Sequence, residues 1–217
     1  MGAGGAAPDV GLSALREELA PGAFVLRGLA RADEALFRRA IDAVARDAPF
    51  RHMVTPGGFR MSVGMTNCGR YGWVSDERGY RYAPLDPVSG RPWPALPPVL
   101  AVLAERAAAL AGFAAFAPDA CLVNRYEPGA RLTLHQDKDE RDFSHPIVSV
   151  SLGVPATFLF GGLKRKDRVA RVPVEHGDVV VWGGPRRLRY HGVASLKPAQ
   201  HPFADQARIN LTLRRAS

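Results

Sequence analysis

Apolar residues recur with a helical period in two parts of the chain. The first run follows Asp33, a candidate N-cap, and ends at Pro49. The second run is rich in Ala, opens at Pro97 and continues to about Ala111, where Gly112 ends it. This pattern predicts two helices, both in the first half of the chain.

From Cys121 onward, the pattern changes to short runs of β-branched and aromatic residues separated by turn residues. These runs are CLVNRYE, PIVSVSLG, ATFLF, ARVPV, DVVVWG and RINLTLRR. Several short strands at close spacing with Gly-rich turns favour an antiparallel sandwich or a small barrel. We therefore predict a mainly β fold of the α+β class, in which no run after Gly112 is typical of a helix.

The other segments divide into a lead-in, a lid and a connector. Residues 1–22 are predicted to be a flexible lead-in, and residues 23–217 a single domain. Segment 53–82 is interrupted by Gly and alternates polar with aromatic residues, which predicts irregular strands and hairpins in a surface lid. Six prolines between Pro84 and Pro98 predict a stiff, extended connector.

The net charge of the chain suggests which classes of partner it could bind but does not distinguish among them. Lys and Arg total 29 against 21 Asp and Glu, a net charge of +8, which suits a polyanion such as nucleic acid or an anionic membrane surface. Only four of the 29 basic residues are Lys, so Arg supplies 25. In a chain this rich in Ala, a coding bias also explains the excess of Arg.

Cysteine content and hydropathy bear on the compartment. Cys68 and Cys121 are too few for a disulfide framework and form no C-x-x-C pair, which fits a reducing compartment and predicts a cytoplasmic protein. The uncharged stretch between Arg106 and Asp119 has 12 residues. A membrane helix needs about 20 residues, so no membrane span is predicted.

The final strand carries the first sign of a ligand. Its apolar face holds Ile209, Leu211 and Leu213, and its polar face holds Arg208, Asn210, Thr212 and Arg214. If the polar face points inward, the two arginines need an anionic partner, since an unpaired buried cation is unfavourable by several kcal/mol. The pattern predicts a bound carboxylate or phosphate.

Three residues have the spacing of a metal site. His135 and Asp137 stand at i and i+2, so extended backbone points both in one direction, and His191 follows after a β-rich stretch that can return it to the pair. Two His and one carboxylate leave open positions on Fe(II), whereas structural zinc takes four protein ligands. A lone H-x-D occurs by chance. A dicarboxylate that chelates the metal and meets an arginine explains both this set and the polar face of the last strand.

Longer motifs carry a family resemblance. They are MVTPGGFRMSVGMTNCG from Met53, PWPALP from Pro92, PDACLVNRYEPGARLTLHQDKDE from Pro118, PIVSVSLGVPA from Pro146, FGGLKR from Phe160, EHGDVVVWGG from Glu175 and RINLTLR from Arg208. Over positions 20 to 215, the chain resembles the AlkB family of Fe(II)- and 2-oxoglutarate-dependent dioxygenases. The resemblance implies a double-stranded β-helix (jelly-roll) catalytic core over 118–217, N-terminal helices, and a nucleotide-recognition lid over 53–82.

The resemblance also implies an activity. With Fe(II), and with 2-oxoglutarate and O2 as co-substrates, family members demethylate bases such as 1-methyladenine and 3-methylcytosine in DNA, releasing formaldehyde, succinate and CO2. We expect direct-reversal repair by a monomer acting on single- or double-stranded DNA, and on RNA as well. The target base must first leave the helix stack.

The family's roles fall on fourteen positions. By resemblance, His135, Asp137 and His191 bind Fe(II), Arg208 pairs with the distal carboxylate of 2-oxoglutarate, Arg214 lies near its metal-bound end, and Asn124, Tyr126 and Asn210 complete that pocket. Also by resemblance, Trp73 stacks on the damaged base, Tyr80, Arg81 and Tyr82 hold the nucleic acid backbone, Asp139 faces the cationic lesion, and Arg165 adds a substrate contact. A solvated turn charge explains Arg165 nearly as well.

Three other functions compete with this one. The first is the same chemistry on a substrate other than nucleic acid, and the second is a nucleic-acid-binding module without catalysis. A zinc hydrolase is the third, but it leaves Arg208 and Arg214 unexplained. No role is assigned to residues 1–22 or to the Arg-rich turn at 186–189.

Overall fold

The computed structural model describes residues 16–217 and arranges their strands in two antiparallel sheets and a separate hairpin. The strands are β1 (Arg16–Ala20), β2 (Ala23–Leu26), β3 (Gly64–Gly69), β4 (Gly72–Asp76), β5 (Gly79–Ala83), β6 (Ala120–Tyr126), β7 (Leu132–His135), β8 (Ile147–Gly153), β9 (Ala156–Phe160), β10 (Ala170–Val174), β11 (Val179–Trp182), β12 (His191–Val193) and β13 (Arg208–Arg214). The larger sheet has the order β1-β2-β11-β8-β13-β6-β3, and the smaller one β10-β9-β12-β7. Strands β4 and β5 form the hairpin.

Both predicted helices are present. Helix α1 spans Glu34–Asp47 and helix α2 spans Pro98–Leu110. A proline at the start of α2 removes no helical hydrogen bond, because the first N–H groups of a helix have no partner within it. Gly112, with φ of +88°, follows α2 in the left-handed region where glycine is favoured. The chain after Gly112 adds one short 3-10 turn, Gly184–Arg186.

The elements form three layers. The two helices cover one face of the larger sheet, where Phe37 of α1 and Leu100 of α2 pack with apolar side chains such as Leu211 of β13. On the other face lies the smaller sheet, whose Phe158 packs against Trp182 of the larger sheet with ring centroids 5.7 Å apart. The mainly β, jelly-roll prediction is confirmed.

The central position of β13 explains its two faces. It pairs with β6 on one side and with β8 on the other, with Asn210 opposite both Asn124 and Ser151. Its apolar residues face the helices, and its polar residues face the smaller sheet, as their alternation predicts. Arg208 and Arg214 are both buried, so the polar face of β13 does carry two cations into the interior.

Three predicted boundaries differ from the structure. Residues 16–20, expected in the lead-in, form β1 and pair with β2; residues 1–15 lie outside the described part. Segment 53–82 is not only a surface lid, because β3 is buried throughout and pairs with β6 in the larger sheet. That sheet therefore also uses strands from before residue 118. Among these strands, β2 and β3 are buried throughout, whereas β1 is exposed or half-buried.

Within residues 16–217, no helix is long and apolar enough to cross a membrane. Cys68 and Cys121 lie opposite each other on β3 and β6 as buried free thiols.

Candidate active site

A cavity of about 890 Å³ opens between the two sheets. Its volume falls within the range of small-molecule sites, roughly 300–1,000 Å³. All of the predicted site residues except Arg81 and Tyr82 line it. Strand alternation brings most of them there, because β6 and β13 send every second side chain into the space between the sheets.

The three predicted metal ligands meet at the inner end of the cavity. His135 ends β7, Asp137 follows two residues later, and His191 begins β12, where it pairs directly with His135. One potential ligand atom from each residue lies within 4.8 Å of the other two. The Asp137 carboxylate is 3.6 Å from His135 Nε2 and 3.5 Å from His191 Nε2.

Main-chain contacts set the direction of both imidazoles. His135 Nδ1 is 2.8 Å from the Thr133 carbonyl, and His191 Nδ1 is 3.1 Å from the Arg189 carbonyl. A carbonyl accepts, so each Nδ1 carries a proton, and Nε2 is the ring atom of each histidine that faces Asp137. Burial, followed by the proximity of His191, lowers the pKa of His135 to about 4. The His135 ring thus presents a neutral nitrogen donor, as a metal site requires.

Arg214 keeps the Asp137 carboxylate charged. Its Nε and Nη2 donate to Asp137 Oδ2 at 2.8 and 2.6 Å, leaving Oδ1 directed toward His135. Burial alone would raise the pKa of Asp137, but Arg214 and His191 outweigh it and hold this pKa well below its usual range. Two imidazoles and one carboxylate with open space beside them suit non-haem Fe(II).

Arg208 lies buried in the same cavity with hydrogen-bonding capacity to spare. Its Nη2 donates to Ser151 Oγ at 2.9 Å, while Nε and Nη1 have no partner among the described residues. The Tyr126 hydroxyl and Asn124 Oδ1 are also buried, and neither has a hydrogen-bond partner among the described residues. Burial lowers the pKa of Arg208. These orphaned groups fit a carboxylate-bearing ligand such as 2-oxoglutarate.

The outer end of the cavity is aromatic. Asn67 of β3 exchanges two hydrogen bonds with the main chain of Trp73, both 3.0 Å long, and the Trp73 indole N–H donates to Asp139 Oδ2 at 2.8 Å. Tyr80 stacks on Trp73 with ring centroids 5.6 Å apart. This fixed pair of rings forms a flat wall beside a carboxylate.

Arg81 and Tyr82 are placed differently from their prediction. Arg81 lies on the opposite face of the hairpin from Tyr80 and forms a two-bond ion pair with Asp76, at 2.8 and 2.7 Å. Tyr82 turns inward, where its hydroxyl donates to Glu140 Oε1 at 2.8 Å. Burial raises the pKa of Tyr82 well above its usual range. The Tyr82 hydroxyl is therefore used inside the protein, and a phosphate contact through Arg81 has to compete with Asp76.

Sequence reasoning missed a basic rim around the cavity. Arg60, Arg131 and Lys138 are exposed and line its mouth together with Arg165. Arg165 Nη1 donates to the Leu134 carbonyl at 2.9 Å, which places the guanidinium beside β7. The charge pattern could not find this rim, because its members come from three separate segments of the chain, around residues 60, 131–138 and 165.

Comparisons with known proteins agree with the geometry. The family model "2OG-Fe(II) oxygenase superfamily" matches residues 22–214. The chain is 58% identical over 203 residues to alpha-ketoglutarate-dependent dioxygenase AlkB of Salmonella typhimurium, covering 93% of this chain and 94% of that protein. It is 57% identical to the protein of the same name from Escherichia coli, covering 93% of each.

Solved structures give the same picture. The structure of OsALKBH1 matches with a TM-score of 0.80 and 30% identity, over 92% of this chain and 99% of that one. A 2OG-Fe(II) oxygenase family protein from Burkholderia pseudomallei matches with a TM-score of 0.57 at 17% identity, over 88% of this chain and 84% of that one, which shows the fold alone.

Proposed function

The chain belongs to the AlkB family of alpha-ketoglutarate (2-oxoglutarate)-dependent dioxygenases, and we propose that it removes alkyl groups oxidatively from bases in nucleic acid. It is an enzyme that uses Fe(II), 2-oxoglutarate and O2. The substrate we propose is alkylated DNA, with 1-methyladenine and 3-methylcytosine as the lesions.

His135, Asp137 and His191 hold the Fe(II) in this proposal. When bound, the iron with O2 and 2-oxoglutarate supplies the oxidation of an alkyl carbon, with succinate and CO2 as co-products. The oxidised methyl group then leaves as formaldehyde, and the base is restored. The protein contributes a fixed set of donors, because main-chain carbonyls orient both imidazoles and Arg214 orients the carboxylate.

Arg208 binds the distal carboxylate of 2-oxoglutarate. The observation that supports this is its unpartnered Nε and Nη1 beside the unpartnered Tyr126 hydroxyl, all buried. A buried guanidinium with two free donors gains a bidentate pair from a carboxylate, which a lysine could not match. Asn124 and Asn210 lie on the same face and line the path from Arg208 toward Asp137.

Trp73 and His135 are the walls between which a flipped base fits, since both line the same cavity. The position of Asp139, with its carboxylate already directed to the Trp73 indole, supports a preference for cationic bases. Stacking on a fixed indole also offsets the few kcal/mol that unstacking a base requires. A methylated base carries its positive charge into this pocket, so Asp139 favours it over the neutral parent base.

The single observation that carries the substrate class is the basic rim. Arg60, Arg131, Lys138 and Arg165 surround an aromatic cavity mouth, and basic groups beside a stacking surface suit the backbone and the bases of a polynucleotide. We include single-stranded DNA, double-stranded DNA and RNA as substrates, and a monomer as the active species. The cytoplasmic location remains a proposal that the two free cysteines support.

The test is direct. Purified protein is incubated with Fe(II), 2-oxoglutarate and single-stranded DNA that contains 1-methyladenine or 3-methylcytosine, and formaldehyde and loss of the methyl group are measured. We expect stoichiometric formaldehyde and succinate from methylated DNA and none from the unmethylated oligonucleotide. The Asp137→Ala variant is the matched control and should produce neither.

The competing functions give different results in this assay. If the enzyme turned over 2-oxoglutarate and methylated DNA did not stimulate this turnover, its substrate would belong to a class other than nucleic acid. Binding of the oligonucleotide without succinate formation would make the protein a binding module. Formaldehyde release by the Asp137→Ala variant at the wild-type rate would show that the three proposed metal ligands do not take part in the reaction.

A further inference from the structure

Two buried charged residues outside the predicted site connect to its metal end. The side chains of Arg187 and Glu140 are 3% and 1% exposed, and Arg187 Nη2 lies 3.2 Å from Glu140 Oε2. Arg187 belongs to the Arg-rich turn to which the sequence assigns no role. Glu140 follows Asp137 by three residues in a segment without regular secondary structure.

Arg187 binds three points of that segment with one guanidinium. Its Nη1 donates to the main-chain carbonyl of Asp137 at 2.9 Å, and its Nε donates to the His145 carbonyl at 3.1 Å. Its Nη2 makes the ion pair with Glu140. Because Arg187 also precedes His191 by only four residues, it joins the segment after β7 to the turn before β12. Asp137 lies in the first of these segments, which His135 precedes at the end of β7, and His191 follows the second at the start of β12.

Glu140 connects the same pair to Arg214. Its Oε1 accepts from the Tyr82 hydroxyl and lies 3.4 Å from Arg214 Nε, the atom that also donates to Asp137 at 2.8 Å. The four charges, two guanidinium groups and two carboxylates, balance within the buried cluster. If the charge of Arg187 is lost, Glu140 has Arg214 as its remaining cation in the cluster and draws it away from Asp137.

We propose that Arg187 is a positioning residue of the metal centre, which holds the main chain of Asp137 in place and, through Glu140, keeps Arg214 on the Asp137 carboxylate. This inference rests on the proposed function only in taking His135, Asp137 and His191 as the metal ligands. An ordinary buried ion pair would stabilise the fold without touching a ligand's own peptide group. Partners of this kind commonly change metal affinity by 10- to 100-fold when they are removed.

The test uses Co(II) alone as the probe, because its visible absorption reports the geometry of the bound ion. We expect the Arg187→Gln variant to bind Co(II) about 10- to 100-fold more weakly than the wild type, with a changed absorption spectrum. The matched control is Arg186→Gln, which removes the same charge from the neighbouring position. Arg186 Nε has no hydrogen-bond partner among the described residues, so this variant should keep the affinity and spectrum of the wild type.

The outcomes separate the inference from the proposed function. A wild-type protein that binds no Co(II), or binds it equally after Asp137→Ala, contradicts the metal site itself. A wild-type site with an unchanged affinity and spectrum in Arg187→Gln contradicts only the role of Arg187. Equal losses in the Arg187→Gln and Arg186→Gln variants would also overturn it, since they would show a general effect of charge.

A second variant covers a failure of Arg187→Gln to fold. Arg187→Lys keeps the charge beside Glu140, but a compact ammonium cannot span the three acceptors as the planar guanidinium does. We expect it to fold with an altered Co(II) spectrum and an affinity between those of wild type and a fully disrupted site. A wild-type spectrum and affinity in Arg187→Lys would show that the charge beside Glu140 is sufficient and would overturn the part of the proposal in which Arg187 holds the main chain of Asp137.

Discussion

Strand β13 and the hairpin β4–β5 both carry site residues at alternate positions, but they are held in different ways. β13 lies in the centre of the larger sheet and is paired along its length with β6 and β8. Within the described residues, β4 and β5 pair only with each other, and side chains fix the hairpin through Asn67 and Glu140. Strand pairing therefore places His135, His191 and the residues of β13 at the metal end of the cavity, whereas side-chain hydrogen bonds hold the outer end.

This difference predicts which property a substitution should change at each end of the cavity. At the metal end, a changed side chain removes a ligand or a charge from a frame that remains in place. At the outer end, a changed side chain alters both a contact and the position of the hairpin. We expect effects on metal and 2-oxoglutarate binding at the first and effects on nucleic acid binding at the second.

The largest effect is expected from His191→Ala. This change removes one of three ligand atoms while β12 keeps its main-chain pairing with β7 and β9. We expect loss of Co(II) binding and of all measurable formaldehyde release, with a circular dichroism spectrum like that of the wild type. His52→Ala is the matched control, because His52 is exposed and its Nδ1 contacts the Met61 carbonyl away from the triad. Stoichiometric metal binding by His191→Ala would contradict the assignment of His191 as a metal ligand.

The next effect is expected from Arg208→Gln. Charge-assisted hydrogen bonds contribute about 1.5–3 kcal/mol each, so the KM for 2-oxoglutarate should rise roughly 10- to 150-fold with little change in the KM for DNA. Arg208→Lys keeps the charge without the planar fork, so its KM for 2-oxoglutarate should lie between those of the wild type and Arg208→Gln. Steady-state kinetics with each substrate varied in turn measures the effect. An equal rise in both KM values would place Arg208 outside the 2-oxoglutarate pocket.

A smaller effect is expected from Trp73→Leu at the outer end. Base–aromatic stacking contributes about 1–3 kcal/mol per base, so the KM for methylated DNA should rise roughly 5- to 150-fold while that for 2-oxoglutarate stays constant. Tyr71→Leu is the control, since Tyr71 precedes the hairpin and does not line the cavity. If Trp73→Leu changed the KM for 2-oxoglutarate as much as that for DNA, the two ends of the cavity would not be separable.

The same comparison explains how much the sequence could predict. Arg208, Asn210 and Arg214 reach the cavity because period-two alternation is a local property of a strand, and their burial follows from the apolar residues between them. The i, i+2 spacing of His135 and Asp137 predicted their common direction for the same reason, whereas the assignment of His191 needed the β-rich stretch before it and the family resemblance. Six runs after Cys121 predicted as strands are strands in the structure.

The rest depends on contacts between distant segments. The burial of β3 and the inward turn of Tyr82 follow from partners that no local pattern specifies, β6 in one case and Glu140 in the other. Alternation does explain why Arg81 faces away from Tyr80, and this signal was available in the sequence. No spacing rule could bring Arg187 to Asp137, because that contact closes a gap of fifty residues.

The two ends should also differ in their response to acid. The pKa of His135 is lowered to about 4 by burial and then by His191, so below pH 6.5 the unfolded chain takes up a proton that the folded protein excludes. The stability of the metal-free protein should therefore fall between pH 6.5 and 4. In the hairpin, the hydrogen bond from Arg81 lowers the pKa of Asp76 to about 2, so this pair keeps its charge over the whole window.

Urea unfolding of the metal-free protein at pH 7, 6 and 5 measures this difference. Burial and His201 also lower the pKa of His176, which adds a loss of the same sign. The contribution of His135 is therefore the difference between wild type and His135→Asn, whose stability should depend less on pH. If the stability of His135→Asn depended on pH as steeply as that of the wild type, His135 would not be a source of the pH dependence. Asp76→Asn should leave the slope in this window unchanged.

The smallest effect is expected from Arg81→Ala. Exposed ion pairs contribute about 0–1 kcal/mol, and the guanidinium already binds Asp76 on the face of the hairpin that points away from the cavity. The affinity for methylated DNA should change at most about fivefold, and the slope of log affinity against log salt should not change. Arg131→Ala, which removes a charge from the basic rim, should reduce that slope by about one. If Arg81→Ala also reduced the slope by one, Arg81 would leave Asp76 to bind a phosphate, and the hairpin would rearrange when DNA binds.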